Sequence, residues 1–176
     1  VTLKSGPLFL VDTLINRNLS AESLVDISVL AAEKVRCFGL QPNIALISFS
    51  DFGSDDAESS CEARRAVALL HERYPDLSVD GEMQIQTALQ LAQRDAKYPQ
   101  NKLKGKQVNV LVFPRLSAAN ACYQLLKAVG NADEVVGPIQ VGLARPIYFA
   151  DHDASVKDIV NITAMASLDS NACIVG

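Results

Sequence analysis

The sequence predicts an α/β protein with helices layered on a largely parallel sheet. Two observations carry this. Short apolar runs of strand character alternate with amphipathic helical stretches along almost the whole chain. The run VNVLVFP, residues 108–114, is apolar nearly throughout, as in a strand covered on both faces. At 176 residues, 49% hydrophobic and 20% charged, the chain has the size and composition of one globular unit with a sizeable core.

The elements follow in order. Leu8 to Asp12 reads as a short buried strand. Ser20 is the expected N-cap of the first helix, with Glu22 in its first turn and Leu19 and Leu24 forming a hydrophobic staple. Leu24, Ile27, Ala31, Val35 and Phe38 keep helical spacing, Gly39 ends the helix and Pro42 prevents its resumption. A strand follows from Ile44 to Phe49, then a helix over 56–73 with Ala63, Ala66, Val67 and Leu70 inward. Leu77 to Val79 reads as a strand, Asp80-Gly81 as a turn, and Gln84 to Ala96 as a helix. Residues 98–107 read as a polar surface loop ahead of the 108–114 strand. Ser117 is expected to cap the next helix, which ends at Gly130. Val135-Val136, Ile139–Leu143 and Ile147–Phe149 read as short strands, and a last helix starts at Ser155.

The net charge of −4 and the scattered basic residues argue against nonspecific nucleic-acid binding, and Arg64-Arg65 reads as a solvated helix face. No apolar run is long enough to span a membrane, and no secretory pattern opens the chain. The four cysteines form no CxxC. Cys37 and Cys122 are expected to be small buried hydrophobes, and a reducing cytoplasm is the simplest compartment. No His/Cys/Asp cluster has metal-ligand spacing, so no structural zinc is expected. The opening VTLKSGPLFLVDT, without Met, suits a processed product or a piece of something longer.

The stretch NIALISFSDFGS, residues 43–54, is the leading functional candidate. Ser48, Ser50, Gly53 and Ser54 lie at the carboxyl end of an expected strand, where backbone N–H groups, hydroxyls and a helix N-terminus suit an anionic ligand. No GxGxxG or P-loop pattern occurs. Ligands in such sheets sit outside the carboxyl ends of the strands, which here also carry 114–120 and 142–153.

Five ordered segments carry a resemblance: SFSDFGS (48–54), DGEMQ (80–84), NVLVFPRLSAANACYQLL (109–126), VGPIQVGLARP (136–146) and SVKDIVNITAMAS (155–167). Together they resemble the phosphate acetyl/butyryltransferase family. Ala118-Ala119-Asn120, Tyr123 to Leu126 and Ile159 to Ala164 look most like the phosphotransacetylase-like C-terminal domain of bacterial NADP-dependent malic enzymes. The resemblance implies a three-layer αβα fold of the isocitrate/isopropylmalate dehydrogenase type, with two lobes, a homo-oligomer that is a dimer or higher, and an acyl-CoA/phosphate cleft between the lobes. Residues 1–150 would be the second lobe, and 151–176 a returning segment that packs on the absent first lobe. It implies acetyl-CoA or phosphate as ligand and no cofactor in this chain, NADP and a divalent metal belonging to a preceding malic enzyme region.

The resemblance also assigns roles. Ser48, Ser50, Gly53, Ser54, Gly137, Pro138 and the 142–153 loop would line the cleft, while Arg145, before Pro146, suits either a CoA phosphate contact or a solvated surface position. Asn120, beside Ser117 and Pro114, suits ligand contact and local backbone bonding equally. Active members carry a Ser-Arg pair where this chain has Asp151 and His152, which removes a bidentate guanidinium and adds a negative charge. Gln86 stands where active members usually have Asp. Asp158 aligns with the candidate base, while Ser155-Val156-Lys157-Asp158 also reads as a capping box. Glu82 suits a cleft residue or a solvated turn carboxylate, and His71 reads as exposed. Three readings follow: an acetyl-CoA-binding domain that serves regulation and oligomerisation with weak or no transfer, a working phosphate acetyltransferase, and a purely structural dimerisation module.

Overall fold

A computed structural model describes the chain except for residues 4, 5, 13, 130–135, 144–146, 151, 153 and 173–176. Two short strands, β1 (Thr2–Leu3) and β2 (Gly6–Pro7), pair antiparallel at the start. The main sheet is formed by β3 (Phe9–Val11), β4 (Asn43–Ile47), β5 (Ser78–Met83) and β6 (Val110–Val112), all parallel, in the order β3-β6-β4-β5. Six helices accompany it: α1 (Ala21–Cys37), α2 (Glu58–Arg73), α3 (Ile85–Leu89), α4 (Leu91–Lys97), α5 (Leu116–Val129) and α6 (Val156–Ala172).

The period-two alternation of β4 and β6 divides the core, and a register shift in β5 opposite Leu46 and Ile47 moves Met83 to the face opposite Val79. Ile44, Leu46, Val79, Val110 and Val112 pack with Leu24, Val25 and Val35 of α1 and Ala66, Val67 and Leu70 of α2. Ala45, Ile47, Met83 and Leu111 face the other way, onto Ala88, Leu103 and Ala119. The strands are therefore covered on both faces, and the three-layer αβα arrangement with a parallel sheet stands. Each fully buried Leu or Ile here contributes roughly 1.5–3 kcal/mol of transfer free energy.

The first helix begins as its sequence indicates. Ser20 Oγ accepts the Ser23 N–H at 3.3 Å, and both staple residues are buried. Past its end, Gly39 sits at φ +73°, with its N–H on the Arg36 carbonyl.

Other expectations change. Asp80-Gly81 is no turn: both residues lie inside β5, and a Cβ on Gly81 would meet the Leu46 carbonyl oxygen at 2.7 Å. Glycine at this point lets β5 approach β4, a requirement that resembles a turn signal in sequence. The 84–96 helix is two helices, broken at Gln90. The cause is Arg94, whose buried guanidinium donates to the carbonyls of Ala88, Leu103 and Lys106 at 2.7–2.9 Å. It draws the 98–107 loop inward, so Leu103 and Asn101 are buried rather than at the surface. Ser117 lies within the first turn of α5, one residue past its start, and is not its cap. Between α5 and α6 the described residues form a single antiparallel bridge, Ile139 with Tyr148, in place of the expected strands, while 130–135 and 144–146 lie outside the described residues. Cys37 is exposed and Cys122 half-buried, because Cys37 falls off the apolar stripe of α1. No helix among the described residues is long and apolar enough to cross a membrane.

The segment before α6 and α6 itself are linked to α1 through side chains. Asp169 accepts hydrogen bonds from both Lys34 and the Tyr148 hydroxyl. Burial, and then the Asp169 carboxylate, push the Tyr148 hydroxyl well above its ordinary range.

Candidate active site

Strands β4 and β6 are parallel neighbours, yet the chain leaves them toward opposite faces. It passes from β4 to α2 on one side and from β6 to α5 on the other. Their carboxyl ends therefore diverge into a crevice, the place where α/β sheets accept ligands.

On the β4 side lies the Ser48–Ser54 loop. Its donors are already bonded within the protein. Ser50 Oγ donates to Glu82 Oε1 at 2.6 Å, and the Gly53 N–H reaches the same oxygen at 2.9 Å. Ser54 Oγ accepts the Asp51 N–H at 2.9 Å, and the hydroxyls of Ser48 and Ser60 lie 2.9 Å apart. Glu82 is fully buried, so it is not a solvated turn carboxylate. Asp51 ties the same corner together by accepting the Gln84 N–H at 2.9 Å. Arg64 folds back from α2 over Gly53, with Nη1 3.8 Å from Glu82 Oε1. It is part of the loop corner rather than a free helix face. His71 is half-buried, and its Nε2 is 2.9 Å from the Val79 carbonyl.

On the β6 side the polar groups are only partly bonded to one another among the described residues. An open groove of about 350 Å³ is lined by Leu14, Arg17, Leu116, Ser117 and Asn120. The segment after β3 is clamped there: Arg115 donates to Asn18 at 3.0 Å, and the Leu116 N–H to the Arg17 carbonyl at 3.3 Å. The Arg17 guanidinium makes no hydrogen bond or ion pair among the described residues. The amides of Ser117 and Ala118 open a 14-residue helix and have no intrahelical acceptor. Asn120 lines this groove, and so does Arg17, which the sequence did not single out. Its sequence context, INRN, carries no motif, and only the return of 14–18 against α5 brings it to the groove.

The remaining sequence candidates disperse. Gly137 and Pro138 are half-buried in the segment linked to α1, where Gly142 meets Leu30. His152 is exposed, and Arg145 and Asp151 lie outside the described residues. Gln86 is exposed on α3. Asp158 is a helix cap: Oδ2 accepts the Ser155 N–H at 2.9 Å and its hydroxyl at 2.8 Å, and the Asp158 N–H returns to Ser155 Oγ at 3.2 Å. The Ser155 hydroxyl, and next its amide, hold this carboxyl below the usual range.

With this geometry in place, comparison with known proteins is decisive. A model of the phosphate acetyl/butaryl transferase family matches residues 1–167. The chain belongs to this family. It is 42% identical over 168 residues to an NADP-dependent malic enzyme of Escherichia coli, covering 96% of this chain and 22% of that protein. It is 41% identical over 155 residues to a phosphate acetyltransferase of Treponema pallidum, covering 86% of this chain and 46% of that protein. The crystal structure of a phosphotransacetylase from Streptococcus pyogenes superposes with a TM-score of 0.82 at 31% identity, over 94% of this chain and 49% of that one. The chain thus spans about a fifth of the malic enzymes' length and about half of the acetyltransferases'. Membership in the family agrees with the parallel sheet covered by helices on both faces.

Proposed function

We propose that this chain is the acetyl-CoA-binding, phosphotransacetylase-like domain of a malic enzyme, serving regulation and oligomerisation with little acyl transfer of its own. The observation that supports it most is the β6-side groove: a guanidinium with no partner among the described residues, the start of α5, and the polar side chains of Ser117 and Asn120 beside Leu14 and Leu116. This set suits a ligand with a phosphate and an apolar portion, which is the chemistry of a CoA ester. Malate decarboxylation, with NADP and a divalent metal, would belong to the rest of such a protein. An effector bound here changes that activity only through differential affinity for two states of the assembly.

Weak transfer follows from the capping role of Asp158. The family reaction moves an acetyl group between phosphate and CoA: the CoA sulfur loses its proton to a base, forms a bond to the acyl carbon, and phosphate leaves. A carboxylate already accepting two hydrogen bonds on one oxygen, with lowered basicity, is a poor acceptor for a thiol proton. The Asp151-His152 departure acts in the same direction. Arg17 also favours a second reading, since a guanidinium lining the groove is what an active phosphate acetyltransferase requires.

Calorimetric titration of acetyl-CoA into the full-length protein, together with an assay of acetyl phosphate formation, tests both. Saturable binding without turnover is expected. Turnover at an ordinary enzymatic rate overturns the first reading in favour of the second. Absence of binding leaves a structural dimerisation module.

A further inference from the structure

The corner after β4 contains a buried group that the proposed function does not use. Glu82 is fully buried, and its Oε1 gathers the Ser50 hydroxyl at 2.6 Å and the Gly53 N–H at 2.9 Å, with Arg64 Nη1 at 3.8 Å. Its main-chain carbonyl accepts the Phe52 N–H at 2.8 Å. Ser50 Oγ in turn accepts the Asp55 N–H at 3.1 Å and lies 3.2 Å from Ser54 Oγ, so a chain of polar groups leads from the loop surface to the carboxylate. Glu82 Oε2 is equally buried and receives no hydrogen bond.

A hydroxyl and a backbone amide at positive φ donating to one oxygen, with a guanidinium charge 3.8 Å away, form the set with which loops of this kind hold anions. Gly53 makes this possible twice over. Its φ of +88° aims the amide inward, and a Cβ there would meet Arg64 Nη1 at 2.9 Å. We propose that Glu82 is an internal anion: a positioning residue that fills the anion cradle of the Ser48–Ser54 loop and thereby fixes that loop along the crevice. Removing its carboxylate would convert the cradle into a binding site for a free small carboxylate such as formate. The groups facing Glu82 are the loop donors and Arg64, while Asp56 competes for the guanidinium from outside at 2.9 Å. The carboxylate is held through one oxygen only, so a formate ion free to place itself can reproduce its contacts. The consequence for ligand affinity rests on the proposed function; the consequence for loop order does not.

The test uses the full-length protein and its Glu82→Ala variant, with hydrogen exchange measured across residues 50–57. Exchange at the Gly53 and Asp55 amides should rise about tenfold in the variant. Sodium formate should restore the protection in the variant, with no effect on the parent protein and no equivalent effect of sodium chloride. Unchanged exchange, or formate acting no differently from chloride, overturns the proposal. Glu82→Gln decides the case if Glu82→Ala does not fold. It keeps an acceptor oxygen without the charge, so a loss of protection at Gly53 supports an internal anion, and parental protection overturns it. Acetyl-CoA affinity, followed in the same variants, should fall and recover with loop protection. If the parent protein binds no acetyl-CoA, the reading of the crevice fails, while exchange and formate still decide the role of Glu82.

Discussion

The two sides of the crevice contrast in what their polar groups do. The Ser48–Ser54 loop is rich in hydroxyls and carries a glycine, the pattern expected of an anion-binding turn, but its donors converge on Glu82 and on one another. The β6–α5 corner has a plainer sequence, PRLSAAN, yet an open groove there meets the start of α5 and Arg17, whose guanidinium has no partner among the described residues. The same residue types therefore build a closed scaffold on one side and an open site on the other. What separates them is a buried carboxylate arriving from β5, some thirty residues away in the chain.

That contrast can be broken or sharpened by substitution. The largest effect is expected on the closed side. Ser50→Ala removes a buried hydrogen bond to a charged acceptor and should cost about 2–3 kcal/mol in denaturant unfolding, with acetyl-CoA affinity falling only as the loop loosens. Gly53→Ala comes next, at about 1–2 kcal/mol, because it places a side chain at φ +88° against Arg64. If that variant is as stable as the parent, the loop is not held as tightly as its bonds indicate. On the open side the order of effects reverses. Arg17→Gln should leave the unfolding midpoint unchanged and weaken acetyl-CoA binding about tenfold, near 1.4 kcal/mol, by calorimetry. Unaltered affinity would move the phosphate contact away from this groove.

The smallest effect concerns Asp158. Its folded-state pKa lies below the unfolded one, so its contribution to stability is present above the unfolded value, about 4, and is lost as pH falls through the lower folded value. Asp158→Asn should abolish that acid-side slope in thermal unfolding while leaving any residual acetyl transfer intact. A variant that loses measurable transfer at neutral pH instead would restore Asp158 as a base.

Much of this was legible in the residues. The Ser20 cap and the Ser155–Asp158 box bond as their spacing indicates, and Leu19 and Leu24 are buried in one cluster, because each involves partners within five residues. Errors arose where a distant partner overrode a local pattern. Gly81 looks like a turn glycine but serves the contact of β5 with Leu46, and Gln90 breaks a helix with good periodicity because Arg94 recruits a loop from beyond it.

The sequence by itself determined the alternation of strands and helices, the two-faced burial of the sheet, the helix caps and the family. These depend on periodicity and short-range hydrogen bonding, which are written in consecutive residues. Only the tertiary structure decided that Glu82 is buried, that the hydroxyl loop is closed around it, and that Arg17 lines a groove with Ser117 and Asn120. Whether a donor is free or already bonded depends on which strand lies beside it, and the parallel order β3-β6-β4-β5 sets those neighbours through contacts far apart in the chain.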